Sequence, residues 1–215
     1  MSQGWDHLYR LRRQVRDRHR SIWTVPLAKR ASDLARRALA GVASPRALDV
    51  GANDRRLAEK LRLDHADVVY ESVDPDPEFE HDYSDISQSP ESSYDMVACF
   101  EVIEHVSLEG AMELLDTLRR RLRPGGSIVI TTPNIFVPGQ FHRDATHRTA
   151  FAYDELGGAL LAVGFEMESL ELFRVYNDGL LGKLAHRVLF YPWHRTLGVD
   201  FALSIAAVAR RPAER

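Results

Sequence analysis

The sequence contains a single cysteine, Cys99, and no long hydrophobic run. One thiol cannot form an intramolecular disulfide, which excludes a disulfide-stapled secreted scaffold and favours a reducing compartment. No apolar stretch approaches the roughly 20 residues of a membrane-spanning helix, and the N-terminal residues lack the apolar segment of a signal peptide. We therefore expect a cytoplasmic protein without a membrane span.

Two glycine motifs that bind nucleotides are also missing. The sequence has no G-x-x-x-x-G-K-[ST] segment, which disfavours a P-loop nucleotide hydrolase. Of the dinucleotide pattern G-x-G-x-x-G only Gly51 is present, because Asn53 and Arg56 occupy the other two glycine positions. NAD binding is therefore the weaker interpretation of the nucleotide-binding features described below.

The charge is distributed unevenly along the 215 residues, although the net charge is only -3. Residues 1–46 contain 11 Lys and Arg against 3 Asp, whereas the rest of the chain contains 17 Lys and Arg against 28 Asp and Glu. A basic arm on an acidic body could serve a nucleic acid, an anionic surface or an anionic substrate. We favour the simpler interpretation, in which the arm packs on the acidic face of its own chain, and nucleic acid is a less favoured partner.

The composition, 45% hydrophobic and 27% charged, is that of one soluble globular domain. Residues 1–45 are predicted to form an N-terminal helical cap that belongs to this domain. Apolar residues at helical spacing predict one helix near the start, and a second is predicted from Leu27 to Leu39, closed by Gly41. The apolar stripe of the first helix comprises Trp5, Leu8, Leu11, Val15 and Ile22.

From residue 46 to 215, short apolar runs alternate with amphipathic helical patterns. This alternation predicts an α/β domain with a mostly parallel sheet and helices on both faces. An insertion, residues 176–198, precedes the last predicted strand. Strands are predicted at 47–50, 68–73, 95–100, 127–132, 165–175 and 201–209, helices at 55–63, 108–122 and 153–163, and a loop at 123–126.

Polar residues follow the predicted strands at the sheet edge where ligands of such folds bind. Gly51 permits a close approach of the backbone to a ligand. Asp74 ends the second predicted strand, where a carboxylate can accept hydrogen bonds from both ribose hydroxyls of a nucleoside. Asp85 lies further along and could reach an adenine amino group. The remaining strand-end residues are Asp49, Asn53, Asp54, Phe100 and Glu101.

Five sequence motifs at the predicted strands and their ends follow one another in a characteristic order. They are ALDVGAND at 47–54, VD at 73–74, YDMVACFEVIEHV at 94–106, LRPGG at 122–126 and TPN at 132–134. Together they resemble the successive motifs of class I S-adenosylmethionine-dependent methyltransferases, in particular the ubiquinone-type O-methyltransferase group. The resemblance covers about residues 46–210. It implies a Rossmann-like, seven-stranded sheet whose last strand, 201–209, is antiparallel, with S-adenosyl-L-methionine as the cofactor.

The resemblance also assigns each strand end to a part of the cofactor. Asp49 and the loop residues Gly51, Ala52, Asn53 and Asp54 would hold the methionyl part, Asp74 with Pro75 the ribose, Asp85 with Ile86 the adenine, and Phe100 with Glu101 the methionine end.

The first loop departs from the G-x-G-x-G that is usual in this family, because Asn53 and Arg55 replace the second and third glycines. Asn tolerates a left-handed backbone, so Asn53 can take the place of a glycine. We expect Arg55 to point to solvent or to pair with the methionine carboxylate. The Gly-x-Asn-Asp loop is also similar to that of some sugar C-methyltransferases. The alternative is that the altered loop has abolished turnover and left a catalytically inactive scaffold.

The predicted reaction is methyl transfer to a small-molecule acceptor, with O-methylation favoured. A hydroxyl acceptor needs a general base, and Glu104, His105 and His147 are the candidate catalytic residues; a structural role for His105 is equally open. Residues 141–148 contain two His and two Arg, which could hold an anionic acceptor. The alternative is a solvated loop in which His147 or Arg148 pairs with Asp154 or Glu155.

No metal is expected in the favoured interpretation, but one alternative uses a divalent ion. The Glu-x-x-Glu-His spacing is similar to that of small-RNA 3′-end 2′-O-methyltransferases, which implies a metal set of Glu101, Glu104, His105 and His147. Together with the basic arm, this resemblance implies a metal-dependent RNA ribose 2′-O-methyltransferase.

The insertion at 176–198 is longer than a hairpin requires. It could form an acceptor lid, a homodimer face or an interfacial helix; we favour a helix packed on its own sheet. Its aromatic residues Phe190, Tyr191 and Trp193 suggest a partly apolar acceptor or partner.

Overall fold

The computed structural model describes residues 2–176 and 186–213, with side chains described for residues 6–176 and 188–213. The seven strands are β1 (Leu27–Ala28), β2 (Arg46–Val50), β3 (Val69–Val73), β4 (Tyr94–Phe100), β5 (Leu122–Pro133), β6 (Glu171–Val175) and β7 (Ser204–Arg210). The helices are α1 (Ser2–Arg18), α2 (Ala31–Ala38), α3 (Arg56–Arg62), α4 (Leu108–Arg121), α5 (Tyr153–Ala162) and α6 (Tyr191–Leu197).

The strands form one sheet in the order β1-β6-β7-β5-β4-β2-β3. β7 runs antiparallel to both of its neighbours, β5 and β6, whereas all other neighbouring strands are parallel. Helices cover both faces, because buried residues form one apolar cluster with α1, α4 and α5 and a second with α2 and α3. The predicted Rossmann-like fold with an antiparallel last strand is confirmed.

Strand β1 was not predicted; it comes from the N-terminal segment, where we predicted a helix from Leu27. Leu27 and Ala28 instead pair with the edge of β6, and the amide of Arg174 donates to the carbonyl of Pro26 at 2.7 Å. Helix α2 begins only at Ala31. A two-residue strand carries no periodicity of its own, so the free edge of β6 determines its conformation rather than local propensity.

Several other boundaries differ from the sequence expectation. Residues 123–126, predicted as a loop, and Leu122, predicted as the end of a helix, belong to β5, which is 12 residues long and shifts register between Tyr94 and Met96 of β4. β6 starts at Glu171 instead of residue 165, and β7 spans Ser204–Arg210 instead of 201–209. These differences leave the order of the elements unchanged.

Helix α1 packs on α5 at a point where α5 has no side chains. A Cβ at Gly158 would lie 3.0 Å from the backbone nitrogen of Arg12, so glycine permits this close contact. The guanidinium of Arg12 then reaches Asp154 and Glu155, each at 2.7 Å. This contact agrees with the favoured interpretation of the basic arm, in which its arginines pair with the acidic body.

The insertion before β7 lies partly outside the described residues, at 177–185. Its described part includes α6, whose residues Tyr191 and His194 contact the ring of Trp23 at centroid distances of 5.4 and 5.3 Å. Trp193 and Leu197 remain 55% and 64% exposed. Helix α6 thus contacts Trp23, and an apolar acceptor or partner for the insertion stays a prediction. Among the described residues, no helix combines the length and the apolar character needed to cross a membrane.

Candidate functional site

The predicted site residues follow β2, β3, β4 and β5, which are four consecutive neighbours in the sheet. These strands are parallel, so their carboxyl ends meet at one edge. The crossover regions after β2 and β4 touch each other: a Cβ at Gly51 would lie 2.3 Å from Cγ2 of Val102. Gly51 also has φ +73°, so both the backbone conformation and the space require glycine.

The loop after β2 contains two further residues with left-handed backbone. Asn53 has φ 42° and Arg55 φ 60°, the two positions at which the family that the motifs resemble usually carries glycine. The left-handed conformation expected for Asn53 is therefore present. Asn53 also receives the amide hydrogen of Asp54 on its own Oδ1 at 2.7 Å, a local bond that suits Asn at a turn.

Asp74 lies directly beside this loop. Its Oδ2 accepts the amide hydrogen of Asn53 at 2.9 Å, and its Oδ1 accepts that of Asp76 at 3.0 Å. A carboxylate can accept about four hydrogen bonds, so both oxygens retain acceptor capacity for a ligand. Pro75, which follows, is exposed.

Asp49 is buried beneath the loop and accepts a hydrogen bond from the hydroxyl of Tyr70 at 2.6 Å. Burial raises the pKa of Asp49 to about 6, and the hydrogen bond from Tyr70 opposes this shift. Ala52, in the loop above, is buried as well. Asp49 therefore lies two residues before Gly51 in an environment where its carboxylate is costly to ionise.

Asp85 and Ile86 stand further from the loop in sequence, at a short 3-10 helix, Ile86–Gln88. The exposed Asp85 side chain accepts the amide hydrogen of Ser87 at 2.8 Å, and the side chain of Gln88 accepts the amide hydrogen of Asp85 at 3.3 Å. The structure thus gives Asp85 a helix-capping contact, and contact of this segment with adenine stays a prediction.

Phe100 ends β4 half-buried, and Glu101 follows it with φ 54°. The amide of Glu101 donates to the carbonyl of Thr131 at 3.2 Å. This left-handed turn is followed by a short 3-10 helix, Ile103–His105. Glu104 and His105 lie in this short helix, and Glu101 precedes it.

Glu104, His105 and His147 come together at this edge. Their potential ligand atoms all lie within 4.8 Å of one another, and the two imidazole rings meet edge to face at 4.8 Å. The segment holding His147 is tied to the cluster, since the amides of Arg148 and Thr149 donate to the carbonyl of Glu104 at 2.7 and 3.0 Å. Glu101 is not a member of this cluster, so the four-residue metal set expected from the sequence is reduced to three residues.

Glu104 is fully buried, and only one of its two carboxylate oxygens has a hydrogen-bond partner. Its Oε2 accepts a hydrogen bond from Thr132 at 3.2 Å, whereas its Oε1 has no hydrogen-bond partner and lies 4.0 Å from Nε2 of His147. Burial, with a smaller contribution from Glu101, raises the pKa of Glu104 to about 7. A buried carboxylate oxygen without a partner is costly, which marks this position as a place for a ligand or a transferred proton.

The partners of the two imidazoles determine which nitrogen carries hydrogen. Nδ1 of His147 lies 2.7 Å from the carbonyl oxygen of Phe141, which can only accept, so Nδ1 donates and Nε2 keeps its lone pair. Nδ1 of His105 lies 2.8 Å from the hydroxyl of Thr146, which donates to Asp144 at 2.7 Å. This chain places the hydrogen of neutral His105 on Nδ1 as well. Both Nε2 atoms can therefore accept a proton.

The loop at residues 141–148 does not form the ion pairs with Asp154 or Glu155 that the alternative interpretation predicted. Asp154 and Glu155 pair with Arg12 of α1, so pairing of His147 or Arg148 with them is wrong. His142, Arg143 and Arg148 are exposed.

Sequence reasoning missed several residues that shape the site. Tyr70 beneath Asp49, and Thr146 with Asp144 beside His105, carry no motif of their own. Arg55 was expected at the solvent or at a ligand, but its guanidinium binds the carbonyl of Glu80 and the carboxylate of Asp82. Only the side-chain contacts across the fold reveal these roles.

A family model described as a methyltransferase domain matches residues 17–170, which is most of the chain and includes every strand-end residue discussed above. No protein of curated function matches the sequence significantly.

Solved structures share the fold at low sequence identity. A SAM-dependent methyltransferase from Archaeoglobus fulgidus is 18% identical, with 84% of this chain and 94% of that chain covered and a TM-score of 0.60. A putative methyltransferase from Bacillus halodurans is 16% identical, with 86% and 100% covered and a TM-score of 0.60. The N-methyltransferase NodS from Bradyrhizobium japonicum, in complex with S-adenosyl-L-homocysteine, is 18% identical, with 85% of both chains covered and a TM-score of 0.54. These similarities concern the fold.

Proposed function

This chain belongs to the S-adenosylmethionine-dependent methyltransferases of the class I fold, and we propose that it transfers a methyl group to the oxygen of a small-molecule acceptor. Family membership agrees with the resemblance drawn from the motifs. We further propose that residues 1–45, which supply α1, β1 and α2, act with residues 46–215 as one catalytic unit. The observation that carries the O-methylation proposal is the buried, half-satisfied Glu104 beside an imidazole that can accept a proton.

The strand-end residues fit the cofactor. Gly51 lets the loop after β2 pack closely against Val102, and Asp74 retains acceptor capacity on both carboxylate oxygens for the ribose hydroxyls. Asp49 lies in β2, two residues before Gly51. We propose that these residues and Asn53, Asp54, Phe100 and Glu101 hold the methionyl and ribose parts, and that Asp85 with Ile86 approaches the adenine.

Replacement of Asp74 with alanine is expected to weaken S-adenosyl-L-homocysteine binding ten-fold or more, about 1.4 kcal/mol, because both ribose hydroxyls lose their acceptor. Titration calorimetry of the purified protein measures this. Asp76→Ala is the matched control, since Asp76 is an exposed acid two residues away. Unchanged affinity in Asp74→Ala would contradict the placement of the ribose. No binding to the folded wild type would instead favour the inactive scaffold.

The bound cofactor supplies an electrophilic methyl group, so this chain has three tasks: to align the acceptor, to exclude water and to remove a proton. We propose that Nε2 of His147 takes the hydroxyl proton, and that the carboxylate of Glu104 stabilises the resulting imidazolium at 4.0 Å. His105, oriented by Thr146 and Asp144, offers a second Nε2 lone pair, which can accept a hydrogen bond from a polar hydrogen of the acceptor. The exposed Arg143 and Arg148 would favour an acceptor with an anionic group.

A second candidate function, metal-dependent methylation of an RNA ribose, is favoured by one observation. Glu104, His105 and His147 together offer one carboxylate and two imidazole nitrogens, a donor set that suits zinc or a similar transition metal. In both imidazoles the other nitrogen is held by an acceptor, as in metal-bound histidines.

Under this second function, manganese or zinc should bind the wild type with micromolar affinity, and Glu104→Gln should abolish that binding. Calorimetry with either metal alone measures it, with His142→Gln as the control, because His142 is exposed and outside the cluster. Absence of metal binding to the folded wild type would exclude this function and leave the metal-independent one.

A further inference from the structure

Arg55 has a backbone conformation that is unfavourable for its residue type. It precedes α3 with φ 60° and ψ 22°, in the left-handed region, and its side chain does not cap the helix. A residue with a Cβ is disfavoured in this region, where glycine is free of the penalty. The conformation alone therefore gives no reason for arginine, and the reason must lie in the contacts of its side chain.

The Arg55 side chain crosses from the loop to a segment on the far side of Asp74. Its Nη1 donates to the carbonyl of Glu80 at 2.8 Å and its Nη2 to Oδ2 of Asp82 at 3.2 Å. The guanidinium also lies over the ring of Tyr70 in β3, 5.6 Å from its centroid. One side chain thus joins the loop after β2, strand β3 and the segment at residues 80–82.

That segment is in turn attached to the end of β3. Oδ2 of Asp82 accepts hydrogen bonds from the amide and the hydroxyl of Ser72 at 2.9 and 3.0 Å. Tyr83 bonds on both sides of Val73, because its amide donates to the carbonyl of Ser72 and its carbonyl accepts from Asp74. The chain from residue 74 to 83 therefore forms a closed turn beside β3, and Asp74 is its first residue.

Asp74 is hydrogen-bonded both to the loop after β2 and to the far end of the 74–83 turn. Its carboxylate accepts the amide hydrogen of Asn53 in the loop, while its own amide is bonded to Tyr83 in the turn. Arg55 connects the same two elements from the outside. Without Arg55, the loop would be held at the start of the turn by the Asn53–Asp74 bond and by the bonds of the Gly51 and Ala52 amides to the carbonyl of Val73, whereas residues 80–82 would lose their direct contact with the loop.

We propose that Arg55 is a positioning residue that clamps the 74–83 turn onto the loop after β2 and so aims the Asp74 carboxylate at the ribose of the cofactor. This role rests on the proposed cofactor site and adds a residue that binds the protein rather than the ligand. It explains why an arginine stands at a left-handed position: its contacts across the site offset the backbone strain. In place of the expected pairing with the methionine carboxylate, the proposal assigns Arg55 its contacts with Glu80 and Asp82.

The test compares Arg55→Gly with the wild type and with Arg62→Ala, which removes the same charge from an exposed position on α3. Glycine relieves the left-handed strain, so the thermal unfolding midpoint of Arg55→Gly should be unchanged or higher. The dissociation constant for S-adenosyl-L-homocysteine should nevertheless rise about ten-fold, and hydrogen exchange at residues 74–83 of the free protein should accelerate. Arg62→Ala should change none of these.

The two readouts separate the clamp from the cofactor site. If the wild type does not bind S-adenosyl-L-homocysteine, the proposed function fails, and hydrogen exchange in the free protein still tests the clamp. If Arg55→Gly exchanges and binds like the wild type, the clamp is overturned while the cofactor site stands. A lower unfolding midpoint, with exchange accelerated throughout the chain, would also overturn it, because Arg55 would then serve overall stability.

Discussion

Replacement of Asp200 with alanine is expected to lower the free energy of unfolding by about 3–5 kcal/mol. Asp200 is fully buried, and its Oδ1 lies 2.8 Å from Nη1 of Arg174, which is only 4% exposed. Its Oδ2 accepts a hydrogen bond from Asn134 at 2.8 Å. Without Asp200, the buried guanidinium of Arg174 would lose its carboxylate partner, while it still donates to the carbonyls of Trp23 and Val25 and lies over the ring of Trp23.

This ion pair holds three parts of the fold together. Arg174 lies in β6, Asp200 precedes β7, and the two carbonyl acceptors lie in the segment before β1. Burial lowers the pKa of Arg174, and Asp200 opposes that shift. Removal of the carboxylate therefore leaves a desolvated charge, which costs far more than the net contribution of the pair itself.

Urea unfolding followed by circular dichroism measures the effect, and β6 supplies its own control. Glu171 pairs with Arg37 at 3.0 Å, but both side chains are about half exposed, at 55% and 50%. Glu171→Ala should therefore cost less than about 1 kcal/mol. Equal losses in the two variants would show that burial of the Arg174–Asp200 pair has no special energetic weight.

Replacement of His147 with glutamine is expected to lower kcat for methyl transfer about 100- to 10,000-fold, the usual range for loss of a general base. Glutamine preserves polarity and approximate size but has no nitrogen that can take up a proton. Since the loop and Asp74 are untouched, the affinity for S-adenosyl-L-homocysteine should not change. The measurement is S-adenosyl-L-homocysteine release at saturating cofactor, with any hydroxylated acceptor that the wild type methylates.

His142→Gln serves as the control for His147, because His142 is exposed in the same loop and should leave kcat unchanged. His105→Gln is expected to lower kcat less than His147→Gln, since in the proposed reaction the proton is transferred to His147 and not to His105. A wild-type rate in His147→Gln would refute the role of this imidazole as base. An equal loss in both histidine variants would indicate a shared role, as in the metal-dependent alternative.

Some residues of the candidate site could be predicted from the sequence, because the end of a strand is a local feature of the chain. An apolar run that stops at Asp49-Val50-Gly51, or at Val73-Asp74, predicts both the strand and the edge at which it ends. The Glu-x-x-Glu-His spacing indicated the residues after β4 in the same way. The spacing could not indicate which of these residues converge, because the third member of the group, His147, comes from a distant loop, while Glu101 does not belong to it.

The sequence by itself determined the class of fold, the family and the strand-end positions, because periodicity, glycine placement and short motifs are encoded over a few residues at a time. The tertiary structure decided what depends on residues far apart in the chain. β1 forms because β6 offers a free edge for pairing. His147 joins the site because the residues that follow it bond to the carbonyl of Glu104, which is distant in the sequence. Arg55 bonds to residues 80 and 82. Such contacts follow from how the elements pack, and no local pattern specifies them.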